Sequence, residues 1–297
     1  MLNSEYIKQK ARELGASVCG IGAVYDEPNP QRDPKMILPN AKCIIGFGFA
    51  VPKGIYKAMK IESQFYTYTS LGVKYTDEEM AEIFLLKIGG LIENEGYDAC
   101  LQKAIPNLRI QGDKTTNPEV VDTYELIHAE AVEPGKPVPD VIIDFGKAAY
   151  SCGLGEMGMS GKIINKKYGP FMRYCFIITD APLEIDKPFE GHVCDECGKC
   201  AKACPGGAID KNGLDTWQCS VYYKGAHKSN PFITDEFLKG NPEREAILNG
   251  EKRFDAVSAR EIYKEMNFLP NTQWGYSPCL CGRKCDIACY EHIVGEL

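Results

Sequence analysis

The sequence predicts an α+β fold in two parts, a layered helix-and-strand region over residues 1–185 and a cysteine-bearing region over residues 186–297. Three observations carry this. The chain has 297 residues, which at roughly 150 residues per domain suggests two units. Amphipathic helical stripes alternate with short apolar, β-branched runs through the first half. Nine of the 14 cysteines fall between Cys194 and Cys289. The remaining composition is ordinary, at 44% hydrophobic and 25% charged residues, which excludes a disordered, collagen-like or rod-like chain.

The elements follow in order. Ser4 is placed to cap a helix carrying Ile7, Ala11 and Leu14, with Gly15 at its end. Ala16–Ile21 and Lys42–Phe49 read as strands. Thr76-Asp77-Glu78-Glu79 reads as a capping box opening a helix through Ile83, Phe84, Ile88 and Ile92, closed by Gly96. Tyr97–Leu101, Val138–Asp144 and Tyr174–Asp180 are further strand candidates. Residues 101–140 are punctuated by prolines, with a short helix expected over 119–131. Gln64–Thr69 is aromatic and polar, and reads as a strand or loop packed on the core or as a wall for a flat cofactor. In the second region Ser258-Ala259-Arg260-Glu261 reads as another capping box.

Cysteine is the unusual residue. The chain is too long, and its first half too sparse in cysteine, for a secreted disulfide scaffold. The opening Met1–Tyr6 shows no basic stretch followed by an apolar one, and no apolar run approaches a membrane span. The expectation is a reducing cytoplasm and no membrane contact, where clustered cysteines point to metal or redox chemistry.

Cys194, Cys197, Cys200 and Cys204, with Pro205, form C-x2-C-x2-C-x3-C-P, the run of bacterial ferredoxins, in which the fourth cysteine serves the other cluster. Zinc sites more often pair two separate C-x2-C hooks. Two four-iron clusters need eight ligands. The assignment by spacing gives Cys194, Cys197, Cys200 and Cys289 to the first, and Cys204, Cys219, Cys281 and Cys285 to the second. Cys279 is an alternative to Cys281, and a three-iron cluster or a zinc site in the tail is the alternative to a second four-iron cluster.

Gly153-Leu154-Gly155-Glu156-Met157-Gly158 matches G-x-G-x-x-G, but a helical stretch precedes it where a dinucleotide site needs a strand. Gly161-Lys162 is followed by Ile163, so there is no P-loop. Glycines there would let a large ring approach the backbone closely. The segment runs on through Tyr168-Gly169-Pro170, Arg173 and Thr179-Asp180-Ala181-Pro182-Leu183 into the ferredoxin run. That series resembles the core of reductive dehalogenases and epoxyqueuosine reductases, as do Pro39–Ile45 and Cys219-Ser220-Val221-Tyr222.

The resemblance implies a nitroreductase-like α/β domain holding cobalamin, followed by a ferredoxin-like module with two 4Fe-4S clusters. It implies an oxygen-sensitive oxidoreductase in which electrons pass through the clusters to a corrinoid that reduces a small substrate, by dehalogenation or deoxygenation. Cofactor-binding residues would be Gly153, Leu154, Gly155, Glu156, Met157, Gly158 and Arg173, with Tyr150 or Asp144 as proton donor. A reduced ferredoxin or flavodoxin would supply electrons. Two departures stand out: Cys281-x3-Cys285 is one residue longer than the family's C-x2-C, and Tyr290 replaces proline after Cys289. The net charge of −7 and a chain ending at Leu297, without an appended helical-repeat domain, argue against a nucleic-acid partner. The alternatives are a ferredoxin-like electron-transfer protein without catalysis of its own, and an epoxyqueuosine reductase acting on tRNA.

Overall fold

The computed structural model describes residues 2–104, 131, 133–137, 140–266 and 278–297. The expected helix over 119–131 lies, but for its last residue, outside them.

Helix α1 (Ser4–Glu13) is capped by Asn3, whose side chain accepts from the Tyr6 amide at 2.8 Å. The cap expected of Ser4 thus moves one residue back, and the Ser4 hydroxyl instead donates to the Glu184 carbonyl. Ile7 and Ala11 face the core, and Gly15 ends the helix at φ 101°, a conformation that favours glycine.

A four-stranded sheet in the order β1-β2-β6-β3 organises this half. Its strands are β1 (Val18–Ala23), β2 (Cys43–Ala50), β3 (Ala99–Gln102) and β6 (Met172–Thr179), and every pairing is antiparallel. The interior strands β2 and β6 are apolar almost throughout because both faces are covered. Ile45, Phe47, Cys175 and Ile177 face one core, and Ile44, Phe176 and Ile178 the other. Gly20 and Gly46 let the Cys152–Leu154 segment lie against the sheet, since a Cβ on Gly20 would sit 1.9 Å from the Cys152 carbonyl oxygen.

Three expectations are corrected. Val138–Asp144 is no strand over its described part: residues 140–144 run irregularly into helix α5 (Phe145–Ser151), which Asp144 caps by accepting from the Lys147 amide. Prolines at 137 and 139 remove ladder donors just ahead of it. Thr76 opens no helix, because a π-helix over Tyr68–Met80 runs directly into α4 (Ala81–Glu93) and Thr76 donates back to the Leu71 carbonyl. Tyr66–Thr69 is helical rather than extended, with Tyr68 buried against Tyr56 at 5.5 Å.

In the second region α6 (Lys199–Ala203) packs on α10 (Lys284–Ile293). Helices α7 (Thr216–Tyr223) and α9 (Ala256–Glu265) enclose a core with Val221, Tyr222, Phe254 and Ile262. The cap of α9 is Asp255, in a reciprocal box with Ser258, rather than Ser258 itself. A shared core joins the two regions: Tyr56 stacks on Phe171 at 3.5 Å, and Phe171 on Tyr290 at 4.3 Å. Tyr290, which departs from the family's proline, fills that stack. No helix among the described residues is long and apolar enough to cross a membrane.

Candidate functional site

Among the described residues cysteines gather in two places, one of them a cavity lined by four. In the first, Gly198 in the left-handed conformation turns the chain so that α6 presents Cys200. Helix α10 packs against it and brings in Cys289, and both line one cavity with Cys194 and Cys197. Burial pushes the Cys289 thiol up to about 12, with Asp286, Cys200, Cys194 and Cys197 adding to the effect. Ser160, whose hydroxyl is buried without a partner, lies on the wall of the same cavity.

In the second group, burial raises Cys219 to about 11, with Cys281 and Cys204 among its charged neighbours. Burial also raises Cys285 well above the usual thiol range, aided by Asp286, Cys281 and Cys204. Cys281 thus contributes to raising both Cys219 and Cys285. The Cys279 sulfur lies 3.7 Å from that of Cys281, on the side of Tyr68 and Tyr223.

The donor chemistry fits iron–sulfur clusters. A tetrahedral zinc site would hold its sulfurs about 3.8 Å apart, given a metal–sulfur bond of about 2.3 Å. Among the described residues no three of these thiols approach within 4.8 Å of one another, whereas Cys197 lies that close to Asp195 and His292. Amide N–H groups already point at the sulfurs, from Met159 to Cys194 and from Ala208 to Cys204, both at 3.4 Å. Such bonds tune cluster potentials. Thiols raised by burial are protonated until iron displaces the proton, so metal loading and ordering of this region are linked.

Charges gather where the second group lies. Arg283 pairs with Asp286 at 2.8 Å, both buried. Arg173 donates to both carboxylate oxygens of buried Asp77, delivered by the π-helix. The Arg283 guanidinium, with burial, pushes the Lys162 ammonium down to about 8. These three cations exceed the two carboxylates, a surplus suited to a centre whose four thiolates make it anionic. Sequence reasoning missed these roles: Asp77 reads there as part of a helix start, Lys162 stands only in an incomplete P-loop, and Arg283 and Asp286 stand in no motif.

The remaining expected residues divide. Tyr150, Asp144 and Met157 line one cavity of about 550 Å³ with Tyr25, Ser151 and Pro188. The Tyr25 hydroxyl bridges the Asp144 amide and carbonyl at 3.0 and 3.2 Å. Arg173 is not there, since its planar fork is committed to Asp77. Glu156 accepts from the amides of Val193 and Cys194 and so anchors the ferredoxin run to the glycine segment. Leu154 is core.

The glycines do not open the backbone to a ring. A Cβ on Gly153 would lie 2.8 Å from the Lys187 oxygen, and one on Gly155 2.5 Å from the Ile164 oxygen. They are small because the chain packs on itself there. A second cavity, of about 630 Å³, lies between α4 and β3, lined by Leu85, Leu86 and Leu101. Both cavities are of the size that takes a drug-sized ligand.

No protein-family model matches the chain. It is 25% identical over 220 residues to the epoxyqueuosine reductase of Bacillus subtilis, across 72% of this chain and 47% of that protein. The chain therefore spans about half the length of that relative. It is 27% identical over 227 residues to the epoxyqueuosine reductase of Leadbetterella byssophila, across 74% and 68%. To the tetrachloroethene reductive dehalogenase of Dehalobacter restrictus it is 45% identical over 100 residues, 31% of this chain and 17% of that one.

Solved structures show the same mixed α/β fold. An epoxyqueuosine reductase crystallised with a modified tRNA stem loop superposes at TM-score 0.51 and 16% identity, covering 97% of this chain and 81% of that one. A catabolic reductive dehalogenase superposes at TM-score 0.51 and 18% identity, covering 89% and 34%. The class on which fold and sequence converge is that of named reductases. In particular, the chain is similar to epoxyqueuosine reductases and reductive dehalogenases, and the resemblance read from its residues is borne out.

One expectation is overturned. The acidic balance argued against nucleic acid, yet the relatives include epoxyqueuosine reductases, and one structure of that enzyme carries a tRNA stem loop. A net charge is a sum over the whole chain, whereas a binding face depends on local distribution. Lys166 and Lys167, for instance, are exposed on the turn beside the glycine segment.

Proposed function

We propose that this chain is an iron–sulfur oxidoreductase of the epoxyqueuosine reductase and reductive dehalogenase kind, passing electrons through two four-iron centres to a corrinoid. The observation that carries the reading is the gathering of Cys194, Cys197, Cys200 and Cys289 around one cavity, with further part-buried or buried thiols at Cys204, Cys219, Cys281 and Cys285. Cys194, Cys197, Cys200 and Cys289 would hold the first centre; Cys204, Cys219, Cys281 and Cys285 would hold the second. In this reading residues 1–185 are a nitroreductase-like cofactor domain and 186–297 a ferredoxin-like module.

The corrinoid is implied by the resemblance and supplies low-potential reducing chemistry when bound. This chain's residues would do the rest. The glycine segment Gly153–Gly158 holds the first centre in place through Glu156. Tyr150, at the mouth of its cavity with Asp144 beside it, would hold the proton at its phenol oxygen. Halogenated small molecules and an epoxide-bearing nucleoside in tRNA fit the reading equally.

The test is anaerobic reconstitution with iron and sulfide, followed by addition of cobalamin and a visible spectrum. About eight irons are expected from two four-iron centres, together with a retained corrinoid. Full iron without corrinoid would leave an electron-transfer protein, a reading favoured by the closed faces of the glycines. With the loaded chain, halide release from a chlorinated ethene and loss of epoxyqueuosine from tRNA separate the two substrate classes. Tyr150→Phe should abolish whichever turnover is found while leaving corrinoid uptake intact.

A further inference from the structure

The residue that lengthens the tail spacing beyond the family pattern lies in Gly282-Arg283-Lys284, between Cys281 and Cys285. Arg283 there adopts φ 48° and ψ 35°, a left-handed conformation uncommon for a residue with a side chain. That turn folds the guanidinium inward, where it is 6% exposed and donates to an Asp286 that is 1% exposed. The other Asp286 oxygen lies 3.6 Å from the Cys285 sulfur. Asp286 also precedes Cys289 by one helical turn on α10, so it sits on the same face as a ligand of the first group.

The guanidinium lies over the Tyr68 ring at 5.3 Å, in the core that holds Cys279 and Cys281, and Arg283 stands two residues from both Cys281 and Cys285. The cavity of the first group is lined by Cys289, one turn beyond Asp286 on α10, and not by Arg283. A buried ion pair is weak evidence of stabilisation, since desolvation offsets the attraction. Its place against the thiols calls for another role.

We infer that the Arg283–Asp286 pair sets the potentials of the two iron–sulfur centres apart, Arg283 raising the second alone and Asp286 lowering both. Reduction adds an electron to an anionic centre, so a nearby cation favours the reduced form and a nearby carboxylate opposes it. The resulting gradient favours electron flow from the first centre toward the second. This inference rests on the two-centre reading above.

The experiment is an EPR-monitored potentiometric measurement on the full chain loaded with iron and sulfide. The two signals are assigned beforehand with Cys200→Ser and Cys219→Ser. Arg283→Met is expected to lower the midpoint of the second centre and leave the first where it was. Asp286→Asn is expected to raise both. Arg283→Lys keeps the charge and should bring the second midpoint back toward that of the parent. If either charge-removing variant does not load iron, the double variant Arg283→Met with Asp286→Leu leaves no unpaired buried charge. In it the first midpoint should rise by more than the second.

Unmoved midpoints in loaded variants overturn the inference. So do shifts of Arg283→Met and Asp286→Asn in the same direction, a larger rise at the second centre in the double variant, or failure of that variant to load. A parent chain that loads about four irons or fewer removes the two-centre reading and the inference together. About eight irons with unmoved midpoints removes the inference alone.

Discussion

The sheet core and the cysteine region bury the same residue type to opposite ends. Cys43, Cys152 and Cys175 are each buried among aliphatic and aromatic side chains of the sheet. Burial pushes Cys43 up to about 11, and such a thiol is a small inert hydrophobe. Cys281 is buried and Cys219 and Cys285 are part-buried, but their neighbours are other thiols, Arg283 and Asp286. Burial alone therefore says little about a cysteine. Convergence with compensating charge marks the chemistry, and it occurs where the two halves meet, with Cys279, Cys281 and Ile287 packed against Tyr56 and Phe171.

The largest effect that would break this contrast is in the sheet. Phe176 is fully buried, and Phe176→Ala should cost about 3–5 kcal/mol, read from urea unfolding by far-ultraviolet circular dichroism. Iron content of the loaded chain should stay unchanged. Iron lost in proportion to stability would show that the two regions unfold as one.

A smaller effect is confined to the second region. His227 is 1% exposed, with Nδ1 against the Ser229 hydroxyl and Nε2 without a partner. Burial, with the Lys284 ammonium, lowers its pKa from 6.5 to about 4. The unfolded chain therefore takes up the proton first. The stability that the neutral ring contributes is present above pH 6.5 and is lost as pH falls toward about 4, by up to about 1.4 kcal/mol for each pH unit. His227→Gln should flatten that slope between pH 7.5 and 5.5 in thermal unfolding. An equal slope in the variant would refute the assignment.

The smallest effect sharpens the role of Asp144. Its carboxylate caps α5 through the Lys147 amide at 3.0 Å, so Asp144→Ala should lose about 1 kcal/mol, while Asp144→Asn keeps the cap and the stability. Calorimetry of the two variants separates capping from any part the carboxyl plays in proton delivery.

Much of this was legible in the residues. Ile7 and Ala11 at helical spacing, the β-branched runs of β2 and β6, and the four cysteines from Cys194 to Cys204 all express local rules, in which a period of two or 3.6 determines which side chains share a face. Expectations failed where local signals compete. Thr76-Asp77-Glu78-Glu79 has the composition of a helix start, but the preceding turn was already helical, and Asp77 was drawn inward by an arginine 96 residues away. The strand expected at 138–144 had the right side chains but no ladder partner over its described residues.

What the sequence by itself determined is the inventory: a ferredoxin run, a second set of thiols, a glycine segment ahead of them and a resemblance to two kinds of reductase. Only the tertiary structure decided how the inventory is joined. It brings Cys289 to Cys200, sets the Cys279 sulfur 3.7 Å from that of Cys281, closes the faces of Gly153 and Gly155 with backbone oxygens, and sets Asp286 against the Cys285 thiol. The reason is physical: spacing governs contacts within a turn or two of chain, whereas burial and charge pairing depend on segments that meet only after the whole chain has folded.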